Sequence, residues 1–196
     1  MEESTKSGII RGIILMVLAA VVVLGIFLLF SRRGSNSNTT TEEVQLTEVQ
    51  KITTMDLSKN YPKTPPTVVD LYARIMKTMY KQQYTDEEFT KMASVLAGIF
   101  DSEFLAAQNN WPSGLKSEVE TKKSDDYSIP TYEVLTSDLK EKRDNGEEIA
   151  NVVARINLRH GTSTVPYNYL FVLRKDGNGL WKIMGWTVTE AKDTGK

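Results

Sequence analysis

An uninterrupted apolar segment constrains this chain more than any other feature. From Gly12 to Phe30 the sequence runs 19 residues without a charge, close to the roughly 20 with which a helix crosses a bilayer. A buried helix of a globular core would show a polar face, and this segment has none. A cleaved signal peptide would have a shorter apolar region and a small-residue cleavage site, whereas Ser31-Arg32-Arg33 follows here. The segment therefore predicts an uncleaved anchor, a single transmembrane helix.

The charges on the two sides of this segment do not decide its orientation. Lys6 and Arg11 precede it, and Arg32 and Arg33 follow it, so the positive-inside count is nearly balanced. A long C-terminal region can be translocated whatever its flanking charges. We therefore expect a cytoplasmic amino terminus, an extracytoplasmic domain and the lipid bilayer as the partner of residues 12–30.

Composition divides the chain further. A polar stretch rich in Ser, Asn and Thr follows the anchor and is typical of a flexible tether. Its last part, from Val44 to Ile52, carries scattered aliphatic residues that fit a short strand or helix. The predicted parts are a short cytoplasmic tail (1–11), the transmembrane helix (12–30), a flexible linker (31–55), the folded domain (56–190) and a tail (191–196).

Charge and residue counts exclude several functions. The net charge of −1 divides into +2 over residues 1–33 and −3 over the remainder, so no basic surface is expected for nucleic acid. The absence of cysteine excludes disulfides, thiolate metal sites and cysteine nucleophiles. The one histidine, His160, precedes a glycine in a predicted turn, which argues against a catalytic triad or a histidine-rich zinc site. We expect no catalytic residues, no metal site and no cofactor.

Helical signals open the folded domain. The Thr-Pro pair at 64–65 is typical of a helix start, and apolar residues then recur at three- and four-residue steps over 68–79. Thr85 and Glu88 have the spacing of a capping box, which predicts a second helix.

The second helix is followed by a more polar segment. Its apolar face runs to Phe100, and Phe104 and Leu105 could extend it. A third helix with few apolar positions is predicted after the Trp-Pro pair at 111–112. It should cover an edge of the core rather than fill its centre.

The period of the apolar residues then changes to two, as in β-strands. Alternate positions are apolar over 150–158 and again over 165–173. Turn residues separate four strands at 145–146, 160–163 and 176–179. Helices followed by an antiparallel meander predict an α+β fold, with about three helices packed on a curved sheet of about four strands.

The last predicted strand carries two of the three tryptophans. Trp181 and Ile183 share one face, which favours a core position for Trp181. Gly185 would permit a bulge, and a bulge could turn Trp186 inward. Two interpretations stay open for Trp186, the edge of the core and the wall of a cavity.

The order of elements and the final hairpin, "FVLRKDGNGLWKIMGWTV", resemble the nuclear transport factor 2-like superfamily, whose fold is a cone-shaped α+β domain. The anchor together with "YPKTPPTVVDLYARIMK", "YTDEE" and "LRKDGNGLWKIMGW" is similar to an uncharacterised family of membrane-anchored proteins from clostridia and their relatives. The resemblance covers about residues 56–190 and implies the cell membrane of a Gram-positive bacterium. Its motifs are packing and turn motifs, which indicate the fold rather than an activity.

The resemblance implies two classes of function. Members of the superfamily related to ketosteroid isomerase use a cavity carboxylate with tyrosine donors, and others are non-catalytic, including a membrane-anchored scaffold of secretion systems. The strand faces predicted to point inward carry no carboxylate, and Asp101 and Glu103 are the only plausible substitutes. We therefore expect a non-catalytic binding or scaffolding domain, with a small-molecule isomerase- or hydrolase-like enzyme as the alternative.

Tyrosine is dense on the predicted inward faces, and buried tyrosines need partners for their hydroxyls. Three interpretations stay open: hydroxyls at the sheet rim, a small-ligand pocket, and a face that docks other membrane or envelope proteins or forms a weak homodimer. The candidate cavity or interface residues are Tyr72, Tyr132, Tyr167, Tyr169 and Trp186, with Tyr80 beside them.

Overall fold

Helices come first along the chain and strands second. The computed structural model describes residues 46–144 and 146–190, and the predicted span 12–30 lies outside them. Five helices are present in these ranges: α1 (Glu48–Thr53), α2 (Pro65–Lys81), α3 (Asp86–Ile99), α4 (Ser102–Ala106) and α5 (Ser113–Ser124). Four strands follow: β1 (Tyr127–Asp144), β2 (Glu147–His160), β3 (Ser163–Lys175) and β4 (Trp181–Glu190). The predicted α+β class and the four-stranded antiparallel sheet are confirmed.

Helix α1 overlaps the segment from Val44 to Ile52, where a short strand or helix was expected. The Thr47 side chain accepts a hydrogen bond from the Gln50 amide at 3.2 Å, and the Gln50 side chain accepts one from the Thr47 amide at 2.9 Å. This capping box starts a helix whose Val49 and Ile52 are buried. Six residues of the range 31–55 therefore form a helix that packs on the core.

Helices α2 and α3 begin where their signals predicted. Thr64 is the N-cap of α2, with Pro65 in its first turn. At the start of α3 the Thr85 hydroxyl accepts from the Glu88 amide at 3.2 Å, and the Glu88 carboxylate accepts from the Thr85 amide at 2.7 Å. Both helices bury one apolar face in the core.

The end of α3 differs from the expectation that Phe104 and Leu105 extend it. Phe100 adopts an extended conformation and forms a parallel bridge with Ile183 of β4, and the Asp101 amide donates to the Ile183 carbonyl at 2.9 Å. Backbone groups that pair with a strand are lost to the helical hydrogen-bond ladder, so α3 stops. Asp101 then caps the separate helix α4 by accepting from the Glu103 amide at 3.0 Å.

The third predicted helix is α5. It is polar along most of its length and buries only Val119. As its composition predicted, it covers an edge of the core.

The sheet has the order β1-β2-β3-β4, with every neighbouring pair antiparallel. A two-residue turn joins β2 to β3, and Gly161 adopts φ 58° in it, a left-handed conformation that glycine takes without strain. The inner face carries Ala150, Val152 and Ala154 from β2, all fully buried. On β3 the same face carries Phe171.

The predicted bulge is present in β4. Val172 pairs with Gly185 and Leu173 pairs with Ile183, so Met184 is the extra residue. The bulge restores Trp186 to the inner face, where it pairs with Phe171. Trp181 is 6% exposed, which confirms its core position.

The apolar core lies between this inner face and helices α1 to α3, with Val119 of α5 at its edge. In residues 46–144 and 146–190, no helix has the length and apolarity to cross a bilayer. Among the same residues, no group of three or more His, Asp or Glu side chains is placed to hold a metal ion.

Candidate functional site: an aromatic cavity

A cavity opens beside Trp186, where β4 meets the helices. Its volume is about 330 Å³, within the range of small-ligand pockets. It is lined by Tyr72 and Met76 of α2, Leu96 and Phe100 of α3 and its cap, Phe104, Gln108, Asn109 and Trp111 around α4, Gly114, Leu115 and Glu118 of α5, and Trp186.

Aromatic rings form most of the wall. The Trp186 ring centroid lies 5.1 Å from that of Tyr72 and 5.4 Å from that of Phe104. Phe100 lies 5.1 Å from Phe104 and 5.6 Å from Trp111, with both pairs close to edge-to-face. Such pairs stabilise one another beyond the area they bury, so the wall is held in place by its own contacts.

An ion pair fixes the helix that carries Phe104. The Arg174 Nη2 donates to Asp101 Oδ1 at 3.0 Å and to Oδ2 at 2.9 Å. The Arg174 Nε also donates to Oδ2, at 3.2 Å. Because Asp101 also caps α4, this pair ties the helix to β3. The Asp101 carboxylate raises the pKa of Arg174.

A close turn positions Trp111. The Gly114 amide donates to the Asn110 carbonyl at 2.7 Å. A Cβ atom at position 114 would lie 2.8 Å from the Asn109 backbone oxygen, so a larger residue would displace the turn. Asn110 itself has a positive φ of 56°, which asparagine tolerates better than most residues.

The polar side chains of the cavity are those of Tyr72, Gln108, Asn109 and Glu118. Gln108 donates through Nε2 to the Phe104 carbonyl at 3.2 Å, which leaves its side-chain oxygen as an acceptor. No hydrogen bond joins the Tyr72 hydroxyl to another described residue, and this hydroxyl is not among the fully buried atoms that lack a partner, so it remains in contact with solvent. Burial raises the pKa of Tyr72, and the charges of Tyr169, Tyr80 and Glu118 add to that shift. Glu118 itself is exposed, at the rim.

The structure brings together only some of the predicted site residues. Tyr72 and Trp186 line the cavity. Tyr169 stacks on Phe171 at 6.2 Å and raises the pKa of Tyr72, so it lies just behind the wall. Burial, followed by Glu118, raises the pKa of Tyr80 to about 12.

Tyr132 and Tyr167 lie elsewhere. The Tyr132 hydroxyl donates to Asp70 at 3.1 Å, and its ring lines a separate groove beside Arg74 and Lys77. Tyr167 lines a hollow at the other end of the sheet. These two residues share the inner strand face with the cavity residues but not the cavity.

The hollow beside Tyr167 also includes His160. This histidine is exposed, and its ring stacks on Tyr127 with the centroids 4.3 Å apart. It does not line the aromatic cavity.

The two carboxylates considered for an enzyme are engaged outside the cavity. Both Asp101 oxygens accept from Arg174, and Glu103 lies 3.5 Å from the same guanidinium. The carboxylate that does line the cavity, Glu118, was missed. The sequence did contain a signal for it. Glu118 lies three residues after Leu115 and next to Val119, so on a helix it falls at the edge of the face that packs on the core.

Other wall residues were also missed. The sequence placed Phe104 in an extension of the second predicted helix and Trp111 just before the third, so neither was expected near the last strand. The pair of Asn residues before Trp111 was a usable turn signal, and a turn there brings both aromatics back to β4.

Fold and site together define an α+β domain with an aromatic cavity at the junction of its helices and its last strand. Over residues 1–186 the chain matches the family described as Domain of unknown function (DUF6715), and it belongs to that family. No curated protein has a significant match to the sequence.

Proposed function

We propose that this protein is a membrane-anchored binding protein whose extracytoplasmic domain takes its ligand, or a side chain of its partner, in the aromatic cavity. Residues 12–30 anchor it in the cell membrane of a Gram-positive bacterium, and residues 1–11 stay in the cytoplasm. The family match extends over the apolar segment as well as the domain, which supports treating the two as one functional unit.

The cavity is the observation that carries this proposal. A domain of this size could close its core around Trp186, as it does around Trp181, and a void loses the dispersion contacts of its lining. Here about 330 Å³ is left beside two tryptophans and a tyrosine whose hydroxyl is unpaired among the described residues. Tryptophan and tyrosine are the residues that concentrate binding energy.

The fold is compatible with the nuclear transport factor 2-like superfamily, and we propose that relationship. Helices followed by a four-stranded antiparallel meander with a bulged last strand support it. In such a fold a cavity between the helices and the sheet can serve binding or catalysis, so the residues of the cavity decide the function.

An enzyme is the second candidate, and one observation favours it. Glu118 and Tyr72 line the same cavity, and a carboxylate base with a tyrosine donor is the pair that the isomerase-like members use. Glu118 is exposed at the rim, however, where water competes for it, so binding is the better supported role. Turnover of a small carbonyl substrate that Glu118→Gln abolishes would reverse this preference.

Binding can be tested with 5-fluorotryptophan, because the protein has three tryptophans. Trp111 and Trp186 line the cavity and Trp181 does not, so Trp181 is an internal reference. The protein with its membrane segment, in detergent, should give three fluorine resonances, assigned by single Trp→Phe variants. Small-molecule fragments or extracted membrane components that bind the cavity should move two resonances and leave the third. A screen that moves none of them would contradict the proposal.

Topology and partners need a separate experiment. Protease added to intact, wall-stripped cells should digest the domain and leave a short anchor fragment. A domain that survives until the membrane is lysed would place it in the cytoplasm. Crosslinking in the native membrane should then capture an envelope protein or a second copy of the chain.

A further inference from the structure

We propose that the aromatic cavity binds an alkylated organic ammonium ion, with its rings around the cation and Glu118 as the counter-charge at the rim. This inference rests on the proposed function, because it names the ligand class of the same cavity. It follows from which groups line the cavity and which do not.

The wall is built from the side chains that attract cations. Five of the lining residues are aromatic, and two of these are tryptophans. The face of an aromatic ring carries negative charge, and tryptophan attracts cations most strongly, out to about 6 Å from the ring centroid. Rings whose centroids lie 5.1 to 5.6 Å apart are in contact and form one wall, so a cation in the cavity beside that wall would be near several of them.

These rings have no cation of their own. In the described part of the chain, lysine ammonium groups lie over five aromatic rings, with distances to the centroids from 4.5 to 5.7 Å. Those rings are Tyr61, Tyr84, Tyr127, Tyr132 and Trp181, and none of them lines the cavity. The domain thus pairs its aromatic rings with lysines at several places and leaves the cavity unpaired.

The charges of the lining point to the same ligand. Among the described residues, no lysine or arginine lines the cavity, and Glu118 is the one acidic residue that does. The free atom of the Gln108 amide is an oxygen acceptor, because its nitrogen donates to the Phe104 carbonyl. Glu118 also contributes to the raised pKa of Tyr72, after burial and two tyrosines, so its field extends into the cavity. An anion would find no counter-charge there.

The aromatic and aliphatic part of the wall favours an alkylated ammonium over a bare one. A primary ammonium carries three donors and is strongly hydrated, so it loses its water at a high cost unless acceptors replace it. Phe100, Phe104 and Leu115 offer no acceptor in their side chains. Methyl groups on the nitrogen spread the charge, need no acceptor and fill apolar space.

Choline and 3,3-dimethylbutan-1-ol test the role of charge, because they share a shape and differ in one positive charge. With the fluorotryptophan protein, choline should move the Trp111 and Trp186 resonances, leave Trp181, and bind at least tenfold more tightly than the alcohol. Glu118→Gln should weaken choline binding about fivefold and leave the alcohol unchanged. Glu120→Gln removes the same charge from the same helix, outside the cavity lining, and should leave both unchanged.

The outcomes separate this inference from the proposed function. If the alcohol binds as tightly as choline, or if Glu118→Gln and Glu120→Gln have equal effects, the ligand is not recognised by its positive charge. The ammonium inference then fails, while the proposed binding function of the cavity stands. If neither probe nor any fragment moves the cavity resonances, the proposed function fails as well.

A third probe identifies the source of the ammonium group. A short peptide that contains trimethyllysine presents the same head on a protein chain. Tighter binding of choline would indicate a free small cation, and tighter binding of the peptide a side chain of a partner. Either result supports the ammonium ligand, whereas binding of a glutamate-containing control peptide as tight as the trimethyllysine peptide would contradict it.

Discussion

The part of β4 that faces the core runs from Trp181 to Trp186, and the tryptophans at its two ends solve the same packing problem in opposite ways. At one end Trp181 is sealed: the Tyr61 hydroxyl donates to its carbonyl at 2.7 Å, and the Lys175 ammonium lies 5.1 Å from its ring centroid. At the other end the half-buried Trp186 faces a void of about 330 Å³. The sealed end contributes to stability, and the open end is the candidate functional site.

The loop between α1 and α2 seals the first end. Leu57 packs so closely on Gly98 that a Cβ there would lie 2.5 Å from Leu57 Cδ1. Lys182 donates to the Gly98 carbonyl at 2.7 Å, and burial lowers its pKa. The groups around Trp186 include a hydroxyl without a partner among the described residues, that of Tyr72. The first end is thus closed by side chains and their hydrogen bonds, whereas the second leaves the Tyr72 hydroxyl without a partner among the described residues.

The largest test of the comparison replaces each tryptophan by alanine. Trp181→Ala removes a core side chain and should lower the free energy of unfolding by about 3–5 kcal/mol. Trp186→Ala enlarges a cavity that is already open and removes a side chain that is only half-buried, so its effect should be smaller, about 1–3 kcal/mol. Urea unfolding of both variants measures the difference. Equal losses would show that the two ends are equally packed.

The second test concerns the ion pair between Asp101 and Arg174, which ties α4 to β3. Asp101→Ala leaves the Arg174 guanidinium, 19% exposed, without its closest carboxylate, and also removes the cap of α4. We expect a loss of about 3 kcal/mol in the free energy of unfolding. Because α4 carries Phe104, the Trp111 and Trp186 resonances should shift while that of Trp181 stays.

Asp101→Asn is the matched variant, since it keeps an acceptor for the Glu103 amide and loses only the charge. It should be less destabilised than Asp101→Ala. If the two variants unfold alike, the cap contributes nothing and α4 is held by the ion pair alone.

Local chemistry allowed much of the fold to be predicted. The capping box of Thr85 and Glu88 and the turn at 160–163 each need only neighbouring residues, and both lie where expected. The break after Phe100 was missed because its cause is distant in sequence: the backbone there pairs with Ile183. No periodicity within one helix contains that information.

The site was harder to predict for a related reason. Alternation along a strand gives the face on which a side chain lies, but not whether a helix covers it. Tyr167 and Phe171 share the inner face, yet Phe171 is fully buried and Tyr167 lines a hollow beyond the helices. The predicted residues were therefore on the correct face, and only Tyr72 and Trp186 were in the cavity.

The third test changes the bulge that turns Trp186 inward. Gly185 has φ 154°, in a region that side chains rarely adopt, although a Cβ would meet only Phe104, at 3.8 Å. Gly185→Ala should therefore cost about 1–3 kcal/mol through backbone strain rather than a clash. The fluorine resonance of Trp186 should move more than that of Trp181. A variant as stable as the parent would show that the bulge tolerates a side chain.

The smallest effects come from two single hydroxyls, one at each end. Tyr61→Phe removes a hydrogen bond to the Trp181 carbonyl and leaves that carbonyl without this donor, so it should cost about 1 kcal/mol. Tyr72→Phe removes a hydroxyl that has no partner among the described residues, so its effect should stay within about 0.5 kcal/mol. Urea unfolding at neutral pH measures both, and each variant keeps its ring, so packing is unchanged. A larger loss for Tyr72→Phe than for Tyr61→Phe would mean that the open end holds an ordered polar partner for Tyr72, and the contrast between a satisfied and an unsatisfied end would fail.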